Sequence, residues 1–340
     1  MSFKKLLWAI LAVSLSFSFV SCDDDEDETY ATFAGDLNFT LPKYVQAGDE
    51  FTLVPQGLRV YDDDVTYGYY WKVSPTQETL DTTKTEADPR TVLGEFHYQI
   101  PDTLCTLKFS VTVFGTGYYT TTVSNSAVIL DKDKSLTEQD FNNADGIFTD
   151  PRDGREYHYA SLGGLDWFCE NLSYDACGIS LENCSITGEV FGRYYNWEEA
   201  EQACPEGWRI PTEADWVKLA QYFSPNGSFS ELNTFSGITG HIISNAILNA
   251  EDESLWEYWP AVNVTNEKSL NVLPFGFCIS EDGFYNFDAF GDRATFWTAT
   301  PYGDSQAVYR YVYEGKPDVF VAVADRETFF STVRCVRDSQ

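Results

Sequence analysis

The stretch Ala203-Cys-Pro-Glu-Gly-Trp-Arg-Ile-Pro-Thr-Glu-Ala-Asp-Trp-Val-Lys-Leu-Ala220 crowds a cysteine, an arginine, acids and two tryptophans together, as an active site or a structural corner would. Helix signals decide for the corner. Thr212 can accept from the amide of Asp215, and the helix that follows places Trp216, Leu219, Ala220 and Phe223 on one face. Glu213 and Asp215 fall in its first turn, where negative charge favours the helix dipole by about 0.3 to 1 kcal/mol. Pro211 fixes the entry of the chain, and Arg209 is expected to pair with a nearby carboxylate. Just upstream, Asn196-Trp-Glu-Glu199 offers an Asn cap with Glu at the third helical position. Trp197, Ala200 and Cys204 follow at helical spacing, until Pro205-Glu-Gly207 stops that helix.

Downstream the periodicity falls to two. Residues 294–300, 309–313, 319–323 and 331–336 read as strands, and Glu314-Gly-Lys-Pro-Asp318 turns the second into the third. Helices first and a terminal sheet after, with long loops between, predict an α+β domain over residues 141–340. Residues 34–131 alternate differently. Tyr69-Tyr-Trp71-Lys-Val73, Phe96-His-Tyr98-Gln-Ile100 and Leu107-Lys-Phe109-Ser-Val111-Thr-Val113 predict short strands of an all-β sandwich, and the segment is similar to Ig-like or PKD-like modules, with Trp71 between the sheets. Residues 132–140 are polar and read as the linker. The fold class expected is therefore multidomain: an Ig-like sandwich followed by an α+β domain.

The N-terminus sets the compartment. Lys4 and Lys5 precede a greasy run from Leu6 to Val20 that falls short of the roughly 20 apolar residues of a membrane span, so residues 1–21 read as a signal peptide. Phe19-Val-Ser-Cys22 resembles the lipobox of bacterial lipoproteins, which implies lipidation at Cys22. Asp23 to Glu28 are six consecutive acids, which repel one another and make residues 22–33 a solvated tether. Acids directly after the lipidated cysteine resemble the export signal of Bacteroides-type surface lipoproteins, which implies an outer-membrane, surface-exposed location. Loss of Lys4 and Lys5 takes the net charge of −31 to −33, which speaks against a nucleic-acid partner. Contact with membrane is expected through the lipid on Cys22 alone.

Seven motifs occur in order: residues 150–157, 165–172, 192–197, 204–216, 273–277, 296–300 and 333–337. Together they resemble the Fibrobacter succinogenes major paralogous domain over about residues 141–338. That family in turn resembles the C-type lectin-like fold of formylglycine-generating enzymes, whose Arg-Leu-Pro-Thr-Glu-Ala-Glu-Trp motif is close to residues 209–216. The resemblance places Cys204 near Cys335 and implies a disulfide between them, in a compartment where disulfides persist. Cys177 and Cys184 look like a local loop clasp. Cys169 and Cys278 are either a third bridge or two buried thiols, and Cys105 reads as a buried unpaired strand residue.

No catalytic residue, metal site or cofactor is read from the chain. The formylglycine enzymes need a closely spaced cysteine pair near the C-terminal end, where only Cys335 stands. His97 reads as a solvent-face strand residue. His158 on a strand and His241 at a helix start lie outside Gly-x-Ser-x-Gly or His-Glu-x-x-His contexts. No Cys-x2-Cys pair suggests zinc, and the Glu-Pro-Asn, Gln-Pro-Asp and Trp-Asn-Asp signatures of calcium-dependent lectins are absent. The long loops instead carry Trp256-Glu-Tyr258-Trp259-Pro260 and Glu281-Asp-Gly-Phe-Tyr285-Asn-Phe-Asp288. In lectin-like folds this region forms the ligand face. Trp256, Tyr258, Trp259, Tyr285 and Asp288 are therefore the ligand-binding candidates, the competing reading being loop core. Rings cover the apolar face of a pyranose while acids take its hydroxyls. The chain is thus expected to be a non-enzymatic surface recognition protein for a glycan or a cell-surface protein, or else a structural subunit of a surface or fimbria-like assembly, with an uncharacterised enzyme as the third reading.

Overall fold

The structure is a computed structural model that describes residues 30–59, 66–75, 78–83, 93–249, 254–256, 262–313 and 315–339. It is a β-rich chain with few helices. Cys22 and its neighbours lie outside the described residues, as do Tyr258 and Trp259.

Alternation builds the first half. A five-stranded sheet runs in the order Tyr44–Gln46, Thr121–Leu130, Thr106–Gly115, Tyr67–Ser74, Glu78–Thr83. Only the first of these pairings is parallel. Leu107, Phe109, Val111 and Val113 point into the core with Trp71 and Val73, while Lys72 and Lys108 face water. Two antiparallel pairs, Ala34–Asn38 with Gln56–Arg59 and Glu50–Leu53 with Phe96–Gln99, supply Leu37, Leu53, Phe96 and Tyr98 to the same cluster. Trp71 sits at its centre, fully buried, stacked on Phe96 at 5.5 Å and donating its indole N–H to Gly94 O at 2.6 Å. That bond satisfies the one polar atom its burial would otherwise strand.

Among the described residues, the second half has three sheets of three or more strands. Gly146–Thr149, Glu156–Leu162, Leu165–Phe168 and Val336–Asp338 form one, so that the chain end returns to the start of the domain. Phe284–Asp288, Phe277–Glu281 and Phe329–Phe330 form the second, and Arg293–Tyr302, Gln306–Tyr313 and Val319–Asp325 the third. The two expected caps are present as full capping boxes: Asn196 with Glu199 before helix Trp197–Ala203, and Thr212 with Asp215 before helix Glu213–Phe223. Arg209 holds Asp215 at 2.6 Å. Burial works to raise the Asp215 carboxyl, but the bonds from Arg209 and Thr212 prevail and keep it ionised below the ordinary range.

Two expectations need correction here. Residues 132–140 read as a polar linker, yet Leu136–Thr137 pairs as a strand with Ile247–Leu248, and Ser135 is fully buried. Asn249 donates from its amide to Ile129 O and from its backbone to Ser135 O, which ties the two halves together. Tyr44 and Leu130 of the first half share one apolar cluster with Leu181, Ile186, Val190 and Phe191 of the second. The second correction concerns cysteines. Cys204 and Cys335 are bridged, with 5.8 Å between their Cα atoms and a sequence separation of 131 residues. Cys177 and Cys184 are free thiols. Cys177 packs with Tyr157 and Tyr195, whereas Cys184 sits in the cluster shared by the two halves and donates to Tyr44 O at 3.2 Å. Their side chains serve two different cores, so close spacing in sequence brings no bridge. Cys169 and Cys278 are buried thiols, likewise in separate clusters, and Cys105 is a half-buried free thiol just before strand Thr106–Gly115.

Candidate functional site

A rigid frame comes first. Glu213, read from sequence as a helix-dipole residue, is 1% exposed and pairs with the fully buried Arg310 from 97 residues away. Glu213 also accepts the amide of Leu232, and Arg310 donates to Asn233 O at 2.6 Å while lying 3.7 Å over the Phe235 ring. Arg334 is buried without a bonded carboxylate. It donates to Asn171 Oδ1, Phe168 O, Leu270 O and Asn271 O, and burial lowers its pKa to about 10. Four acceptors on one guanidinium join residues 168–171 to residues 270–271, which is positioning rather than chemistry.

The histidines are bonded in a similar way. His158 stacks on Phe141 at 4.1 Å and bonds Glu170 at 2.7 Å, and that bond raises its pKa against the opposing pull of burial. His241 stacks on Phe223 and bonds Glu267 at 2.7 Å. His97 lies on an exposed strand between Thr52 at 2.8 Å and Glu95 at 2.9 Å. This line of nucleophile, imidazole and carboxylate is open to water on a sheet face. Among the described residues, no group of three or more His, Cys, Asp or Glu side chains is disposed to hold a metal ion.

The sequence-derived ligand candidates do not converge. Trp256 is a core residue, 3% exposed, packed with Leu270 and Val272 and donating its indole N–H to Ser244 O at 3.0 Å. Its large apolar surface is better used inside than in a loop, so it leaves the candidate set. Tyr285 and Asp288 both lie on strand Phe284–Asp288, but on opposite faces of the hairpin with Phe277–Glu281. Tyr285 turns toward Phe330, with ring centroids 5.5 Å apart. Asp288 is paired with Phe277 and shares its face with Ile279 and Phe284.

That outer face is where aromatics accumulate. Phe284 is 73% exposed and Ile279 42%. Phe277 leads from them to Phe329 at 5.2 Å, then Tyr309 at 4.8 Å, Tyr311 at 5.8 Å and Phe320 at 5.2 Å, each ring tilted by less than 40° to the next. Strand register explains the strip. Tyr309, Tyr311 and Tyr313 alternate on one face of Gln306–Tyr313, opposite Trp297, Thr295 and Arg293 on one side, with Ala322 and Phe320 opposite Tyr309 and Tyr311 on the other. Phe277, Tyr309, Tyr311, Tyr313 and Phe320 are all half-buried, whereas Phe329, Trp297 and Thr295 beside them are buried.

Arg293 lies in the middle of the strip. Its guanidinium carbon is 5.9 Å from the Phe277 ring centre, 5.5 Å from Tyr311 and 5.1 Å from Tyr313. Its Nε is buried without a hydrogen-bond partner, and its ion pair with Asp292 is long, at 3.9 Å. Burial raises the Asp292 pKa against the lowering effect of Arg293, and the nearby Asp288 carboxylate adds to the rise. Gly276 makes this corner possible: it has φ +71°, and a Cβ there would lie 2.1 Å from Asp288 O. No motif pointed to Arg293. The one legible signal was the alternation Tyr309-Arg-Tyr-Val-Tyr313, which marks a strand with tyrosines on a single face.

A β-rich chain with a cross-linked second half, two capped helices and a frame of buried arginines is thus defined. Residues 161–337 match the Fibrobacter succinogenes major domain, and the chain belongs to that family. Comparison with curated proteins and with solved structures gave no match.

Proposed function

We propose that the chain is a lipid-anchored, surface-exposed recognition protein, without enzymatic activity, that binds carbohydrate on the aromatic strip of its family domain. The observation that carries this reading is the set of half-buried rings Phe277, Tyr309, Tyr311 and Phe320, joined through the buried Phe329, with Arg293 among them and Asp288 and Asp292 at the flank. Flat supported rings cover the C–H face of a pyranose, and a donor beside acceptors takes its hydroxyls. Anchoring through Cys22 rests on the charged, greasy and small-residue order of residues 1–22, and surface display on the acids that follow. An Ig-like stalk and a C-type lectin-like head are the finer reading of the fold that accompanies this function.

The test is a glycan array probed with the mature chain, with and without calcium. Saturable signal competed by free sugar, lost in Tyr311→Ala with an unchanged melting temperature, is the expected result. A blank array on folded protein rejects carbohydrate as the ligand and turns attention to a protein partner or a surface assembly.

A further inference from the structure

We propose that the strip takes an extended, uncharged glycan and that Arg293 is the residue that reads its hydroxyls. This deepens the carbohydrate reading above and rests on it. Three observations carry it.

The first is an unsatisfied donor. Arg155, Arg209 and Arg337 each hold a carboxylate oxygen, at 2.9, 2.6 and 2.9 Å. Arg293 reaches Asp292 only at 3.9 Å, and its buried Nε has no acceptor. The terminal nitrogens of the fork, held by one long ion pair, keep donor capacity that a ligand oxygen arriving over the Tyr311 and Tyr313 rings would take up. Its side chain is 31% exposed, and that exposure excludes the buried Nε.

The second is charge. Arg293 pairs with Asp292, whose own neighbour is Asp288, on a chain whose net charge is −31. An anionic sugar would meet repulsion both locally and from the whole field, whereas a hydroxyl can accept from Arg293 and donate to an acid. The pattern fits a neutral sugar.

The third is length. Phe277, Tyr309, Tyr311 and Phe320 are half-buried rings of one contact series, joined between Phe277 and Tyr309 by the buried Phe329, and exposed Ile279 and Phe284 continue it on the same hairpin face. One pyranose covers about one ring, so the strip offers more platform than a monosaccharide uses. Several sugar units in a row would use it.

The experiment is calorimetric titration of the full mature chain with neutral gluco- and manno-oligosaccharides of one to six units and with oligouronates of matching length. We expect affinity that rises at least tenfold from one to four units, oligouronates at least tenfold weaker, and a loss of at least tenfold in Arg293→Gln. Arg293→Lys keeps the charge but loses the planar fork, and should recover little of the binding. Thermal melting of both variants separates lost binding from lost fold. Equal affinity for one and six units, preference for oligouronates, or undiminished binding in folded Arg293→Lys overturns the inference while leaving a carbohydrate site. Absence of binding by every neutral and acidic sugar overturns the inference together with the carbohydrate reading. Sedimentation run in parallel decides one rival occupant: a concentration-dependent dimer abolished by Phe284→Ser, with no sugar binding, assigns the strip to a second copy of the chain.

Discussion

Glu213 shows what a single position can hide. Its place after Thr212 was legible as a first-turn acid, but its partner Arg310 comes from a strand 97 residues away, and no local pattern announces such a pair. Removing one member leaves the other charge buried. Glu213→Ala is therefore expected to lower unfolding free energy by about 3 to 5 kcal/mol, and the double change Glu213→Leu with Arg310→Leu by much less. Urea denaturation checks this, and a single-variant loss below about 1 kcal/mol would contradict it. His158 gives a prediction in pH. Its pKa is raised above the ordinary 6.5 by Glu170, so the folded state binds its proton more tightly than the unfolded one. The stabilisation is fully present below about pH 6.5 and disappears as pH rises through the folded pKa. The difference in melting temperature between the natural chain and His158→Gln should shrink as pH is raised from 5.5 to 8.5; a constant or growing difference would show that the Glu170 bond is not what holds the ring.

At the scale of elements, the capped helices and the strands Arg293–Tyr302, Gln306–Tyr313 and Val319–Asp325 follow from sequence because their signals are local: a side chain three residues from the amide it caps, or rings every second residue; residues 331–336, read as one strand, instead make isolated bridges at 331 and 332 before the short strand Val336–Asp338. The connection between the halves does not follow, because its strand Leu136–Thr137 is made by backbone bonds to Ile247–Leu248, to which composition is blind. Cysteine spacing misled for the same reason, since Cys177 and Cys184 point into different clusters. The Cys204–Cys335 bridge closes 131 residues, and the chain-entropy account gives about 5 kcal/mol for such a loop. Replacing both cysteines by serine should lower stability by up to about that amount, read by denaturation under non-reducing conditions. Trp256 belongs to this scale as well. Trp256→Ala should cost about 3 to 5 kcal/mol through the cavity it leaves, and the fraction that stays folded should bind ligand as before.

For the whole molecule, the cluster that joins Tyr44 and Leu130 to Ile186 and Phe191 makes the first half a built-in support of the family domain. Tyr44→Ala is expected to lower the melting temperature of both halves together, and two well-separated transitions in the natural chain would contradict that coupling. The candidate site was partly legible. Asp288 was named from sequence and does flank the strip, while Trp256 and Tyr285 turn away from it. The rest of the site comes from register: Arg293 meets Phe277 and Tyr311 only because three strands from two sheets converge there. The most direct test of carbohydrate recognition on this strip is hydroxyl-radical footprinting of the chain with and without a glycan that it binds. The account predicts protection of Tyr311, Tyr313 and Phe320, with the exposed pair Tyr30 and Tyr119 unchanged as an internal reference. Protection elsewhere, with these three rings as reactive as in the free protein, would contradict it.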